Sequence, residues 1–413
     1  MERAIEYLSE ADTQVLTRLR SAGEAWIVGG WVRDSIIGRP DTDIDIATSL
    51  LPTEVKELFP RSLMVGEKYG TVVVRLDEGV AGEPSWEVTT LRSEGTYGDG
   101  RRPDEVIFGS SIEDDLARRD FTINAMAIDA DGKRIDPHDG VADLRAGVLR
   151  SVGDARERMG EDGLRIMRAF RFLDSGGGVR QMEPELRAAV TQCNEMLERV
   201  SRERIGVEMQ NILTGGNVGE ILDAMRETGT LERVLSGIRT TTEPAFGSDF
   251  VVNLAMLCSA EDDDGDALAE NLRGALVLAK EPLSAISFLH DAASASLLAE
   301  IGSLRRFKAA LPEVWQGFFI SYSEGLGRDV EGFRDALSSL DALRAGNGPL
   351  VDGNMLVEAT GLEPGPRMGR LKGWLHRVQV ERDLSSDDEV LSLLRELDWN
   401  DSDHEEWPAL SWP

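Results

Sequence analysis

Three clusters in this chain combine residue types suited to phosphate and nucleobase chemistry. The first holds Gly29, Gly30, Arg33 and Asp34, then Asp43 and Asp45. Residues 41–46, Asp-Thr-Asp-Ile-Asp-Ile, alternate with the period of a half-buried strand, so carboxylates two residues apart project from one face. A pair held that way suits divalent cations, which makes Asp43 and Asp45 a candidate magnesium site. Asp41 shares the face and is assigned to turn geometry or to support of the other two. Glu87, at the polar position of an alternating stretch beside Val88, is a candidate third carboxylate for a two-metal arrangement. Gly29-Gly30 before a helix lets a phosphate chain approach the backbone, where unpaired amides and the helix dipole favour negative charge, and Arg33 adds a cation one turn later. This half is predicted to hold a nucleoside triphosphate. Taken singly, the pieces are equally a turn glycine pair and solvent-facing strand acids; their joint spacing argues for a site.

The second cluster is Arg118, Arg119, Asp120, Phe121, Thr122, Ile123 and Asn124. Its cations suit phosphates, and Asp120 or Asn124 is suited to bonding ribose hydroxyls. The plainer alternative is a helix start capped by Asp120 with solvated arginines. The third cluster, residues 161–172, repeats Asp162, Arg165, Arg168 and Arg171 every third position, a drifting polar stripe along one helix, with Leu164, Met167 and Phe172 for packing. A carboxylate beside a guanidinium reads a base edge: the acid accepts from an exocyclic amino group and the arginine donates to a ring nitrogen or carbonyl. Cytosine and adenine offer that order, whereas guanine and uracil do not. The alternative is an ordinary surface ion pair three residues apart.

These clusters need elements to position them. Residues 12–22 read as a helix, residues 25–28 as an apolar strand entering the glycine turn, and strands fit residues 71–76 and 86–91. From about Leu149 the strand signals fade and helix follows helix, with breaks at Gly176-Gly177-Gly178, Gly215-Gly216 and Gly346-Asn347-Gly348-Pro349. The fold class is therefore α+β: a small mixed-sheet head followed by an all-helical remainder. Asp401, Asp403, Glu405 and Glu406 mark a C-terminal end expected to fray.

The 413 residues with 41% hydrophobic content argue for two to four globular units. No apolar run is long enough to span a membrane and the start lacks a signal peptide, so a cytoplasmic location is expected. Cys193 and Cys258 are too few and too far apart for a disulfide framework or zinc site, and both are expected to be buried thiols. The net charge of −30 is unevenly spread: 18 basic against 29 acidic residues in 1–150, 13 against 17 in 151–250, and 14 against 29 thereafter. The arginine-rich middle is the surface least hostile to a polyanion. The acid excess and scarce lysine suggest a saline cytoplasm or a biased genome.

Together the motifs resemble the class II tRNA nucleotidyltransferases, the CCA-adding enzymes and their relatives the bacterial poly(A) polymerases. The resemblance covers residues 25–213 and rests on Gly-Gly-Trp-Val-Arg-Asp from Gly29, Asp-Ile-Asp-Ile-Ala-Thr from Asp43 and Glu-Val-Thr-Thr-Leu-Arg from Glu87. It continues through Asp-Gly-Arg-Arg-Pro-Asp from Asp99, Arg-Arg-Asp-Phe-Thr-Ile-Asn-Ala from Arg118 and Asp-Gly-Val-Ala-Asp-Leu from Asp139. Glu-Asp-Gly-Leu-Arg from Glu161 and Ser-Arg-Glu-Arg-Ile from Ser201 complete it.

The resemblance implies a polymerase-beta-like nucleotidyltransferase head (1–148), a neck (149–213), a body (214–310) and a tail (311–413). It implies that Asp43 and Asp45 hold two Mg2+ ions, that Gly30, Arg33 and Arg119 cradle phosphates and ribose, and that Asp162 and Arg165 select CTP and then ATP, with Arg168 and Arg171 completing the pocket. The substrates would be CTP, ATP and the tRNA 3′ end. The stretch between Arg92 and Val106 resembles the flexible element that CC-only enzymes are said to lack, so CCA addition or A addition fits better. Ser201 to Ile205 looks more like the CCA-adding type, with poly(A) synthesis as an alternative. A regulator that has lost catalysis has no need of both Asp43 and Asp45, and a drug-modifying nucleotidyltransferase has no use for the neck stripe. His290 is read as a partly buried helix residue, and Trp315, Phe318 and Phe319 as core packing.

Overall fold

The structure, a computed structural model, describes residues 7–38, 43–65, 70–76, 84–94, 106–109, 111–242 and 244–413. The chain forms two compact units, Met1–Gly237 with Ala275–Val277, and Ile238–Gly274 with Leu278–Pro413.

In the first unit, Ser9 and Asp12 form a reciprocal cap that starts α1 (Glu10–Arg20). There follow β1 (Ala25–Val28), α2 (Gly30–Ile36), β2 (Asp45–Thr48), α3 (Pro52–Leu58), β3 (Leu63–Met64), β4 (Thr71–Val74) and β5 (Trp86–Thr90). Next come β6 (Arg92–Glu94), β7 (Val106–Phe108), α4 (Ile112–Ala117), a 3-10 turn (Thr122–Asn124), β8 (Ala127–Ile128), β9 (Arg134–Ile135) and α5 (Gly140–Ala146). Seven strands make one sheet in the order β3-β4-β5-β2-β1-β8-β9, while β6 and β7 pair separately. Only β2 and β5 run parallel within that sheet.

Strand β1 is buried along its whole length because both sheet faces are covered, which is why it reads as an unbroken apolar run. Ile27 packs with Val15, Leu19, Trp31 and Ile46 on one side. Trp26 and Val28 pack with Ala47, Ile112 and Leu116 on the other. Alternation then fixes the acids. Asp45 precedes Ile46 and Glu87 precedes Val88, so both fall on the face covered by α4. Strand β2 itself starts at Asp45, later than the alternation suggested, and Asp43 lies in the approach to it. Asp43 and Asp45 are nevertheless exposed while Ile44 and Ile46 are buried, so the alternation persists. Asp41 and residues 99–104 lie outside the described residues.

The chain continues through β10 (Val148–Leu149), α6 (Ala155–Glu161), α7 (Leu164–Leu173), β11 (Gln181–Met182), α8 (Pro184–Gln192), a 3-10 segment (Asn194–Arg199), α9 (Arg202–Leu213), α10 (Val218–Glu227) and α11 (Thr230–Val234). Strands β10 and β11 form a two-residue parallel ladder within this otherwise helical stretch. The single helix expected through residues 161–172 is broken. Asp162 is extended (φ −139°, ψ 111°) and stands ahead of α7 instead of on its stripe. Gly163, next in the chain, packs closely: a Cβ there would lie 2.3 Å from the Met196 carbonyl oxygen.

The second unit holds α12 (Phe250–Leu257), α13 (Gly265–Leu276) except its last two residues, α14 (Lys280–Asp291), α15 (Ile301–Ala310), α16 (Glu313–Gly325), α17 (Glu331–Ser338), α18 (Gly353–Thr360), α19 (Pro366–Arg382) and α20 (Asp387–Ser392). Phe319 is fully buried at the centre of an aromatic cluster, 4.4 Å from Trp412 between ring centroids, and Trp315 stacks on Phe288 at 5.2 Å. Both are packing residues, as expected; Phe318 is half-buried. His290 is half-buried, with Nε2 2.8 Å from the Asp263 carbonyl oxygen. The C-terminal end does not fray. Its acids are exposed, but Trp407 and Trp412 are buried and anchor it. Cys258 is buried, whereas Cys193 is only half-buried, because it follows α8 at the surface. Among the described residues no helix is long and apolar enough to cross a membrane.

Replacing Gly163 by Ala should lower the urea midpoint of the first unit, at a cost of about 1–3 kcal/mol, because neither backbone has room to give. An unchanged midpoint would contradict the tightness of that contact.

Candidate active site

The site begins with strand register. Asp45 is the neighbour of Val28 on one side and of Glu87 on the other. Gly29 follows Val28 with φ +74°, a conformation open to glycine, and a Cβ there would meet Arg119 Nη1 at 3.1 Å and Asp45 Oδ2 at 3.4 Å. The missing side chain keeps a passage open between cation and acid. Water withdrawn from Asp45 by its surroundings raises its carboxyl pKa, and the charges of Glu87 and Asp43 add to the rise against the pull of Arg119. Glu87 and Asp43 thus both lie within electrostatic reach of Asp45, although among the described residues no three such groups converge into a ready-made metal cage.

A cleft of about 800 Å³ opens beside Asp45. Gly30, Arg33, Arg119, Asp120, Asn124, Asp162, Arg165, Arg168 and Arg171, all predicted from sequence, line it together with Asp45. Asp43 and Glu87 do not line it and stand beside Asp45 on the adjoining exposed face.

Each cation in the cleft is oriented by a specific partner. Arg33 forks onto Asp34 at 2.8 and 2.9 Å and reaches the Asn124 side-chain oxygen at 2.8 Å. Arg118 and Arg119 share buried Asp115, whose pKa burial would raise but the two guanidinium groups hold below its usual value. Asp120 does not cap a regular helix, since only a 3-10 turn follows it. One of its oxygens accepts from the Phe121 amide and Asn124 Nδ2, the other from Arg168 at 2.6 Å. Burial would lift its pKa, and Arg168 outweighs that effect. Both oxygens are thus occupied within the protein. Arg168 stays protonated despite burial because Asp120 and Glu208 face it.

The pair expected to read a base does not pair with itself. Asp162 accepts from the Leu164 amide at 3.0 Å and from Arg204 at 3.2 Å. Arg165 is buried, bonded to Glu161 and to the carbonyls of Arg158 and Arg118. Arg171 faces Glu208 at 3.3 Å.

Sequence reasoning missed three contributors. Phe172, read as packing, lines the cleft with Arg33, Arg168 and Arg171 guanidinium carbons 5.2, 5.1 and 4.5 Å from its ring centroid. Arg204 and Glu208 sit one helical turn apart on α9 and grip Asp162 and the α7 arginines. The available signal was their spacing of four within Ser-Arg-Glu-Arg-Ile-Gly-Val-Glu, which puts both on one helix face. The Asp-Gly-Val-Ala-Asp-Leu motif supports the site from behind: Asp143 accepts from Thr122 at 2.8 Å and from Arg150 at 3.1 Å.

The sequence matches the family profile described as Poly A polymerase head domain over residues 25–150, and that described as Probable RNA and SrmB- binding site of polymerase A over residues 181–240. The CCA-adding enzyme of Streptococcus sanguinis (strain SK36) is 35% identical over 401 residues, covering 91% of this chain and 94% of its own. That of Limosilactobacillus fermentum is 35% identical over 388 residues with the same coverage, 91% and 94%. The crystal structure of the Bacillus stearothermophilus CCA-adding enzyme in complex with CTP superposes with a TM-score of 0.73 at 27% identity, covering 96% of this chain and 98% of that one. The Thermotoga maritima CCA-adding enzyme complexed with tRNA shares the fold, with a TM-score of 0.64 at 21% identity over 95% of this chain and 97% of that one.

A carboxyl whose folded pKa is raised binds its proton more readily folded than unfolded, so its charge opposes folding at neutral pH and ceases to do so as pH falls through the folded pKa. Asp45→Asn should therefore raise the melting temperature at pH 7 in the presence of a chelator, with the gain shrinking as pH falls. A variant less stable than the parent at pH 7 would contradict the cost of holding a charge where water is withdrawn and Glu87 and Asp43 lie nearby.

Proposed function

The chain belongs to the CCA-adding enzymes, and on that premise we propose that the cleft beside Asp45 is its nucleotidyl-transfer site. The protein is a template-independent tRNA nucleotidyltransferase that takes CTP and ATP as substrates and extends the tRNA 3′ end. In each transfer the terminal 3′ oxygen bonds to the α-phosphorus, the bond to the oxygen bridging the β-phosphorus breaks, pyrophosphate leaves, and the hydroxyl proton passes to solvent. The observation that carries the site assignment is the junction of Asp45, the Gly29-Gly30 turn and Arg119.

Asp43, Asp45 and Glu87 fit Mg2+: all are hard oxygen donors, and a dication offsets both the withdrawal of water that raises the Asp45 carboxyl and the smaller repulsion from Glu87 and Asp43. Bound there, Mg2+ supplies charge stabilisation at the reacting phosphate and activation of the 3′ hydroxyl. The chain's own residues do the rest. Gly29 and Gly30 leave room for phosphate oxygens at the backbone. Arg33 and Arg119, steered by Asp34, Asn124 and Asp115, present fixed positive charge. Asp120 is better assigned to aiming Arg168 than to a direct ribose contact, because both its oxygens are engaged.

Phe172 lines the cleft beneath the guanidinium groups of Arg33, Arg168 and Arg171, an apolar surface among the cations. Asp162 and Arg165 remain the base-reading pair. Arg165 is fixed by backbone carbonyls, whereas Asp162 has Arg204 to exchange for an exocyclic amino group. The functional division into head, neck, body and tail at 1–148, 149–213, 214–310 and 311–413 follows from the same reading, as does a cytoplasmic location, where tRNA is processed.

Transcripts of tRNA ending before CCA, after C and after CC, each offered one nucleotide with Mg2+, test the reading. CTP should label the first two and ATP the third. ATP labelling without CTP incorporation would mark an A-adding enzyme, and long A tails a poly(A) polymerase. Asp43→Ala or Asp45→Ala should reduce transfer on the order of a thousandfold; undiminished activity would remove the site assignment. Asp162→Ala should relax discrimination against UTP and GTP more than it slows CTP, and unchanged discrimination would count against base reading.

A further inference from the structure

Between α7 and β11 the chain forms a glycine-rich loop, residues 174–180, whose Asp174, Ser175 and Arg180 line the cleft. The loop is held in place by Asp174. Its carboxylate accepts from the amides of Gly176 and Gly216 at 2.7 Å, from the Asn217 amide at 3.1 Å and from the Asn217 side chain at 2.9 Å. Burial would raise this carboxyl's pKa, and the four donors hold it below the ordinary value instead. Arg180 is thereby set on a fixed support.

Arg180 is 7% exposed. It donates through Nη1, to the carbonyls of Phe172 and Asp174, both at 2.8 Å. Those carbonyls lie at the C-terminal end of α7, where helix carbonyls lack intrahelical partners, so this edge of the guanidinium caps the helix. The other edge has no such use. Among the described residues Nε and Nη2 make no hydrogen bond and no carboxylate lies within ion-pair distance of Arg180.

The contrast with its neighbours is specific. Of the eight arginines lining the cleft, the other seven each face a carboxylate. Burial opposes the charge on Arg180, and the nearby cation of Arg33 opposes it further, with Asp34 and Asp174 offsetting only part. A buried guanidinium left without an acid, beside a second cation and open to a cleft, is a receptor for an anion.

We propose that Arg180 binds a phosphate oxygen in this cleft, acting with Arg33 on the triphosphate of the incoming nucleotide. The assignment rests on the nucleotide reading of the same cleft and adds to it a residue outside the motif clusters. It gives the glycine-rich loop a role: the loop carries a guanidinium that joins the end of the selecting helix to the phosphates.

Calorimetric titration of the full chain with CTP, CMP and CC-ended tRNA, with Mg2+ present, tests this in the wild type, Arg180→Gln and Arg180→Lys. The glutamine variant should bind CTP on the order of tenfold more weakly, with CMP and tRNA unchanged, the loss expected for one charge-assisted hydrogen bond. The lysine variant should recover part of the loss. Weakened tRNA binding with unchanged CTP would assign the phosphate to the RNA 3′ end and overturn the triphosphate contact. Equal weakening of all three ligands, or of none, would leave only the helix cap and overturn phosphate binding altogether. If the glutamine variant does not fold, the lysine variant decides by its CTP-to-CMP affinity ratio, which the proposal requires to fall and which an unchanged value would refute. A wild type that binds no CTP would defeat the function proposed for the cleft, a result distinct from failure of Arg180 alone.

Discussion

Asp45 and Glu87 are neighbours on adjacent parallel strands, which puts two carboxylates on one sheet face with their backbones about 4.8 Å apart. Like charges at that spacing destabilise a sheet. Asp43 adds a third negative charge from the approach to the same strand. A fold selected only for stability would not gather these groups; one that must bring a dication to a polyphosphate would. The rest of the first unit is arranged around this repulsion. Gly29 keeps the space beside Asp45 clear, and α4, whose residues pack the same sheet face, leads through Arg118 to Arg119, which draws on the Asp45 charge from across the gap.

The second organising feature is the treatment of arginine. The chain carries a net charge of −30, yet its cleft is lined by eight arginines. Such side chains lose much conformational freedom when ordered, and the protein orders them in advance by giving most an acidic partner and several a backbone carbonyl as well. Arg158 and Arg165 reach the carbonyls of Ala117 and Arg118, fastening the neck helices to the end of α4. Arg158 and Arg165 are thereby fixed relative to the strand acids within one compact unit. If Asp162 and Arg165 read the base as proposed, this preorganisation is what such reading requires, since mobile side chains would accept any edge.

Much of this was legible in the sequence because it depends on period. Alternation through Asp43 to Ile46 placed the acids on one face even though the strand begins only at Asp45, and the Gly-Gly turn fell where a strand meets a helix. Spacing of three along residues 162–171 found residues that line the cleft, but they do not form the single helical stripe it implied. Asp162 is extended ahead of the helix, where Arg204 from a distant helix bonds it, a tertiary contact that no local pattern encodes. Phe172 read as core for a similar cause: its helical position is apolar, and only the convergence of Arg33 from the sheet with Arg168 and Arg171 reveals its use. Arg204 and Glu208 are distant in sequence from the Asp162 and Arg171 side chains they bond, and Arg180 lies in a loop with no motif around it. The C-terminal acids were read correctly as exposed, but the two tryptophans among them decide how that segment packs.

The central claim is that the strand acids together form a divalent-cation site beside the cleft. Titration of Mn2+ into the protein with CTP present, followed by the electron paramagnetic resonance of free Mn2+, tests it most directly when the wild type is compared with an Asp45→Asn, Glu87→Gln double variant. The account predicts tight Mn2+ uptake by the wild type and uptake by the double variant no greater than that of CTP alone. Equal uptake by the two proteins would contradict it.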